Sequence, residues 1–212
     1  MISTGRLAFF ALLGSLLCLS ASVGAADAKE LVKRSQSDPA LRETLIREGR
    51  NAGSFCANCH GEAGFSRFSE VPNLASQHPT YILNQIDAFV SGKRKNEFME
   101  GLMKVLSERE RAAIALAFSS NEAIPASVTP GGRAAEGGEH FKRLCARCHQ
   151  ADARGAETFP RLAGQQQEYL RVTLGRYLTM SGERQYPPMT GAVMQLGERN
   201  IEAVVEYLSS LR

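Results

Sequence analysis

Two short stretches of this chain carry more chemistry than any others: Cys56-Ala57-Asn58-Cys59-His60 and Cys145-Ala146-Arg147-Cys148-His149. In a C-x-x-C-H pentad two thiols can add to the vinyl groups of a haem while the adjacent imidazole reaches the iron. Other uses of paired cysteines demand other surroundings. A thioredoxin-like dithiol needs a βαβ context and leaves His60 and His149 without a role. A zinc ribbon spaces its two pairs about 15–20 residues apart, far closer than these. Two disulfides would suit four cysteines in an oxidising compartment, but the pentad spacing overrules that pairing. The pattern therefore predicts two covalently bound haem c groups on Cys56, Cys59, Cys145 and Cys148, with His60 and His149 as iron ligands.

An iron held by one histidine has a sixth position, and its occupant separates electron carriers from catalysts. Met99 and Met189 are the candidates, because a thioether is a soft ligand suited to haem iron and the two occupy equivalent places in the halves of the chain. Methionines also fill cores. Met103 and Met194 do not match each other in that register and are read as packing residues.

The elements that must position these groups are written twice. Pro72-Asn73-Leu74-Ala75-Ser76-Gln77 matches Pro160-Arg161-Leu162-Ala163-Gly164-Gln165, Tyr81 matches Tyr169, and Gly49 and Gly138 stand equally far upstream of their cysteines. Ile82, Ile86, Phe89 and Val90 recur as Leu170, Leu174, Tyr177 and Leu178, the spacing of one helix face. Ile114 and Phe118 correspond to Val204 and Leu208 on a terminal helix, which Ser107-Glu108-Arg109-Glu110 opens as a capping box in the first half; Gly197 replaces the serine in the second. Segment 123–132 holds two prolines and two glycines and reads as a linker. No run alternates as strands do, so the expected fold is all-α, with two small helical domains that each need a large apolar staple.

Arg6 precedes an uncharged apolar run from Leu7 to Leu19 and then small residues, the pattern of a secretory signal cleaved near Ala25. Cys18 would leave with it. The domain reading is a signal peptide over 1–25, an N-terminal extension over 26–48, domain one over 49–121, a linker over 122–135 and domain two over 136–212. The extension carries Leu31, Leu41, Leu45 and Ile46 on a helix broken at Pro39. Apolar residues make up 43% and charged residues 22% of the 212 positions, as in a globular chain. The formal net charge of +3, without long basic runs, argues against a nucleic-acid partner. His78 and His140 lack histidines at the matching positions and read as surface residues; Lys93-Arg94-Lys95 reads first as a solvated charge run, with steering of an acidic redox partner as the alternative.

The tandem pentads, the Pro-x-Leu-Ala-[Gly/Ser]-Gln segments and the late methionines resemble the dihaem cytochromes c4, over nearly all of the chain from about Gly49 to Leu211. The resemblance implies two cytochrome c-like helical domains, each wrapped around one covalent haem, with His60 and His149 as proximal and Met99 and Met189 as distal ligands. It also implies that the Pro72 and Pro160 carbonyls accept the proximal imidazole N–H. The family commonly has an aromatic pair near the end of each domain. The second half keeps Tyr207 but the first has Ala117, which leaves the packing of the first against the last helix of domain one in doubt. The implied function is electron carriage in the periplasm between respiratory-chain proteins, toward a membrane-associated oxidase or reductase, with no small-molecule substrate expected and with loose membrane association left open. The alternative is a dihaem enzyme, a peroxidase or sulfur-compound dehydrogenase, or its electron-relay subunit, which would call for one differentiated half.

Overall fold

The computed structural model describes residues 27–123 and 131–212; the segment expected to be a signal peptide and residues 124–130 of the expected linker fall outside them. The first half contains α1 (Ala28–Ser37), α2 (Pro39–Ala52), α3 (Ala57–His60), α4 (Pro79–Val90), α5 (Glu97–Val105) and α6 (Glu108–Ser119). The second contains α7 (Ala134–Leu144), α8 (Ala146–His149), α9 (Gln167–Leu178), α10 (Pro187–Leu196), a 3₁₀ turn at Glu198–Asn200 and α11 (Ile201–Ser210). Among the described residues β pairing is limited to isolated bridges at Arg94–Arg184 and Ala156–Phe159, so the fold is all-α. No described helix is long and apolar enough to cross a membrane.

Each half closes on its own core. The matched faces point inward as their periodicity requires: Ile82, Ile86 and Phe89 on α4, and Leu170, Leu174 and Tyr177 on α9, are buried. Ile114 and Phe118 on α6 and Val204 and Leu208 on α11 are buried too. The Ser107–Glu110 capping box forms at the start of α6, whereas Gly197, at φ +75°, leads through the 3₁₀ turn into α11.

The N-terminal segment belongs to the first core. Asp38 ends α1 and caps α2, accepting from the Leu41 N–H at 3.0 Å, with Pro39 in the first turn where its missing N–H costs nothing. The break at Pro39 is thus a junction between two helices. α2 runs straight across position 48, Leu45 is fully buried, and α1 lays Leu31 and Val32 onto the same cluster.

The first and last helices of domain one do pack closely. A Cβ on Gly49 would lie 2.0 Å from the Ala113 carbonyl oxygen and 2.9 Å from the Ala117 Cβ, so the missing aromatic is replaced by small residues that let the two backbones touch. In domain two the crossing glycine is Gly137, whose Cβ would lie 1.8 Å from the Ala203 carbonyl oxygen, while Gly138 faces the Tyr207 ring. Gly49 is therefore matched in space by Gly137, one position before its partner by sequence. The offset is absorbed after the helix: residues 53–56 form a turn between α2 and α3, while Cys145 directly caps α7.

Candidate functional site

Each pentad winds into a single helical turn, α3 or α8. The His60 N–H donates to the Cys56 carbonyl at 2.9 Å and the His149 N–H to the Cys145 carbonyl at 3.0 Å, so the first cysteine and the histidine of each pentad share a face. No disulfide joins any of these four pentad cysteines. Cys56 and Cys145 pack against their domain cores. Burial pushes the Cys56 thiol up, and burial with the neighbouring Cys148 pushes Cys145 up to about 11, so both are protonated at neutral pH.

His60 and His149 are buried. The His60 Nδ1 lies 3.0 Å from the Pro72 carbonyl oxygen, and the His149 Nδ1 3.1 Å from that of Pro160. A carbonyl can only accept, so Nδ1 carries the proton and Nε2 keeps its lone pair. Burial lowers the pKa of both imidazoles, against the pull of the proline carbonyls, which favours the neutral form that ligates metal.

Met99 and Met189 occupy the same position, the third residue of α5 and of α10. Asn96 caps α5 by accepting from the Met99 N–H at 3.0 Å; α10 opens instead on Pro187 and Pro188, and its Met189 N–H reaches the Tyr186 carbonyl at 3.0 Å. Both side chains are half-buried against their cores. Met103 is a packing residue at 5% exposure, matched by buried Val193. Met194 is not: it is 53% exposed, because Val193 already takes the inward place.

Arg94 does not serve the basic surface cluster that its neighbours suggest. Lys93 and Lys95 are exposed, while Arg94 turns into the contact between the halves, donating to Gln85 Oε1 at 3.0 Å and Tyr169 Oη at 3.2 Å. Arg184, its counterpart in the repeat, donates to Tyr177 Oη at 2.8 Å, Tyr169 Oη at 2.9 Å and Tyr81 Oη at 2.8 Å. Backbone hydrogen bonds from Lys95 N to Glu183 O (2.7 Å) and from Gln185 N to Lys93 O (3.1 Å) pin the two segments together. Sequence reasoning missed this pair, although both arginines stand equally far upstream of their methionines. His78 is also an interface residue, its Nε2 lying 2.8 Å from the Arg154 carbonyl oxygen.

Neither guanidinium has a carboxylate within 4.0 Å among the described residues. Desolvation opposes ionisation of the Tyr169 hydroxyl, yet Arg184 and Arg94 pull it down to about 7. Two neighbouring cations without a carboxylate favour an anion beside them. Haem c brings two carboxylates of its own, so the thiols, the imidazoles with free Nε2 and the paired arginines together fit that group.

The model for the family described as "Cytochrome c" matches residues 134–212. The chain is 30% identical over 173 residues to the cytochrome c4 of Thiocapsa roseopersicina, covering 76% of this chain and 88% of that protein. It is 30% identical over 170 residues to the "Thiosulfate dehydrogenase electron acceptor" of Thiomonas intermedia, covering 73% of this chain and 77% of that one. The crystal structure of reduced recombinant cytochrome c4 from Pseudomonas stutzeri superposes with a TM-score of 0.71 at 27% identity, over 79% of this chain and 98% of that one. The chain belongs to the cytochrome c4 family, and is accordingly a two-domain electron-transfer protein that carries two covalent haem c groups and is not an enzyme.

Proposed function

We propose that Cys56 and Cys59 bind one haem and Cys145 and Cys148 the other, with His60 and Met99, and His149 and Met189, as the axial pairs, and that the chain passes single electrons in the periplasm. The observation that carries this reading is the equivalence of the halves: each offers a buried imidazole oriented by a proline carbonyl, and each offers a methionine at the third position of the second helix beyond its pentad turn. Bound haem supplies a one-electron ferric/ferrous couple. The protein contributes ligands that fill both axial positions, orientation through Pro72 and Pro160, and cationic partners for the haem carboxylates in Arg94 and Arg184. Residues 1–25 act as the export signal. Electrons travel between respiratory-chain components and onward to a terminal oxidase; the relatives named as electron acceptors of thiosulfate dehydrogenase favour a sulfur-compound dehydrogenase as the donor.

The mature holoprotein tests the site. Mass spectrometry should find two haem adducts and no free thiol, and both irons should be closed to carbon monoxide. Stoichiometric carbon monoxide binding at one iron of the wild type would refute the matched axial pairs. Cyanide-sensitive oxidation of the reduced protein by membranes, and its reduction by a thiosulfate dehydrogenase, test the two ends of the route.

A further inference from the structure

The two halves meet through a reciprocal pair of glutamines. Gln165 Oε1 accepts from the Asn73 N–H at 2.8 Å, and its Nε2 donates to the Asn73 carbonyl at 3.1 Å. Gln77 does the same in the opposite direction, Oε1 accepting from the Arg161 N–H at 2.8 Å and Nε2 donating to the Arg161 carbonyl at 3.0 Å. Both side chains are buried, at 5% and 6% exposure. The peptide groups they hold also hold the imidazoles. The Asn73 N–H belongs to the same peptide unit as the Pro72 carbonyl that accepts from His60, and the Arg161 N–H to the same unit as the Pro160 carbonyl that accepts from His149.

We propose that Gln77 and Gln165 are positioning residues that act across the domain interface, each setting the electron-donating strength of the proximal histidine in the other half. The inference rests on the iron ligation by His60 and His149 proposed above. Hydrogen bonds at the two ends of one peptide polarise it in the same sense: drawing the Asn73 N–H toward Gln165 makes the Pro72 oxygen more negative and a stronger acceptor. A stronger acceptor pulls the His60 Nδ1 proton away from the ring, making the imidazole a better donor and favouring ferric iron. Each haem potential is thereby set in part by a residue of the opposite domain.

Spectroelectrochemistry of the full-length dihaem protein tests this, with the two waves assigned by Met99→His and Met189→His, each of which lowers its own haem. Gln165→Leu should raise the potential of the haem on His60, changing its reduced-to-oxidised ratio at fixed potential about twofold or more, and leave the haem on His149 nearly unmoved. Gln77→Leu should do the converse. Gln165→Glu retains an acceptor for the Asn73 N–H and adds negative charge, so it should lower the potential of the same haem. A loosened interface would instead move both waves, and would move the Leu and Glu variants in the same direction. Either result overturns the proposal, as does a Gln165→Leu protein with intact His/Met spectra and unshifted waves. Wild-type spectra lacking the His/Met signature would overturn the ligation first and this inference with it.

Discussion

At the scale of single residues, the pentads were legible because their chemistry is local: thiol, thiol and imidazole are fixed by chain spacing alone. Arg94 was not, because a cation beside two lysines reads as solvated until the fold shows the tyrosines and the second arginine around it. If the thioethers ligate iron, Met99→Ala and Met189→Ala should each remove about half of the sulfur-to-iron charge-transfer absorption at the red end of the visible spectrum and lower one potential. Met194→Ala should change neither, since that side chain is mostly in solvent. Met103→Ala should leave the absorption intact but cost about 2–5 kcal/mol of stability, because its side chain lies in the first core. If Arg184 partners the haem carboxylates as proposed, replacing it by glutamine removes a cation from them. Both haem potentials should fall, because a nearby cation favours the ferrous state, and a potential unchanged in redox titration would remove the arginine from that role.

At the scale of elements, helix faces read from period were the strongest signal: the residues they picked on α4, α9 and α11 lie on a buried side, which is what the period encodes, whereas on α6 Ile114 and Phe118 are buried together with every residue from Ala112 to Phe118. The N-terminal segment was harder. Its leucines announce a buried face, but nothing local says what they are buried against, and only the folded chain shows α1 and α2 resting on α6. The glycine match failed for a related reason, since distance to a cysteine counts residues along the chain while the crossing is set by contact. The crossing itself gives a sharp expectation. Gly49→Ala and Gly137→Ala would each press a methyl group into a backbone carbonyl, at 2.0 Å and 1.8 Å, so a helix must shift and stability should drop by about 1–3 kcal/mol or more. Gly101→Ala is the control: it lies within α5 with nothing within 4 Å of the added carbon, and should stabilise by about 0.5–1 kcal/mol. Thermal melts of the three holoproteins would separate a crowded crossing from a general intolerance of glycine replacement.

At the scale of the molecule, the two cores share no residue, and the contact between the halves is made by polar groups: backbone, amide and hydroxyl together with the Arg94 and Arg184 guanidiniums and the His78 imidazole. The sequence announced the duplication plainly, but not how the copies face each other: Gln77 and Gln165 were visible only as the ends of a matched hexapeptide, because a glutamine reaching across an interface leaves no periodic trace. Separate cores joined by a polar seam predict separable folding. Each domain is small enough that its haem must supply much of the apolar interior, so a domain that cannot attach haem should not hold its packing. In the Cys56→Ala/Cys59→Ala double variant, residues 28–119 should become sensitive to protease while residues 134–210 stay protected, keep one haem adduct and melt cooperatively. The surviving domain should melt somewhat lower than in the intact protein, because Gln165 and the Arg184 guanidinium lose partners on the opposite side. Loss of both domains together would mean that the glutamine and arginine contacts carry the stability assigned here to the separate cores, and unchanged protection of residues 28–119 would mean that the first core stands without its haem.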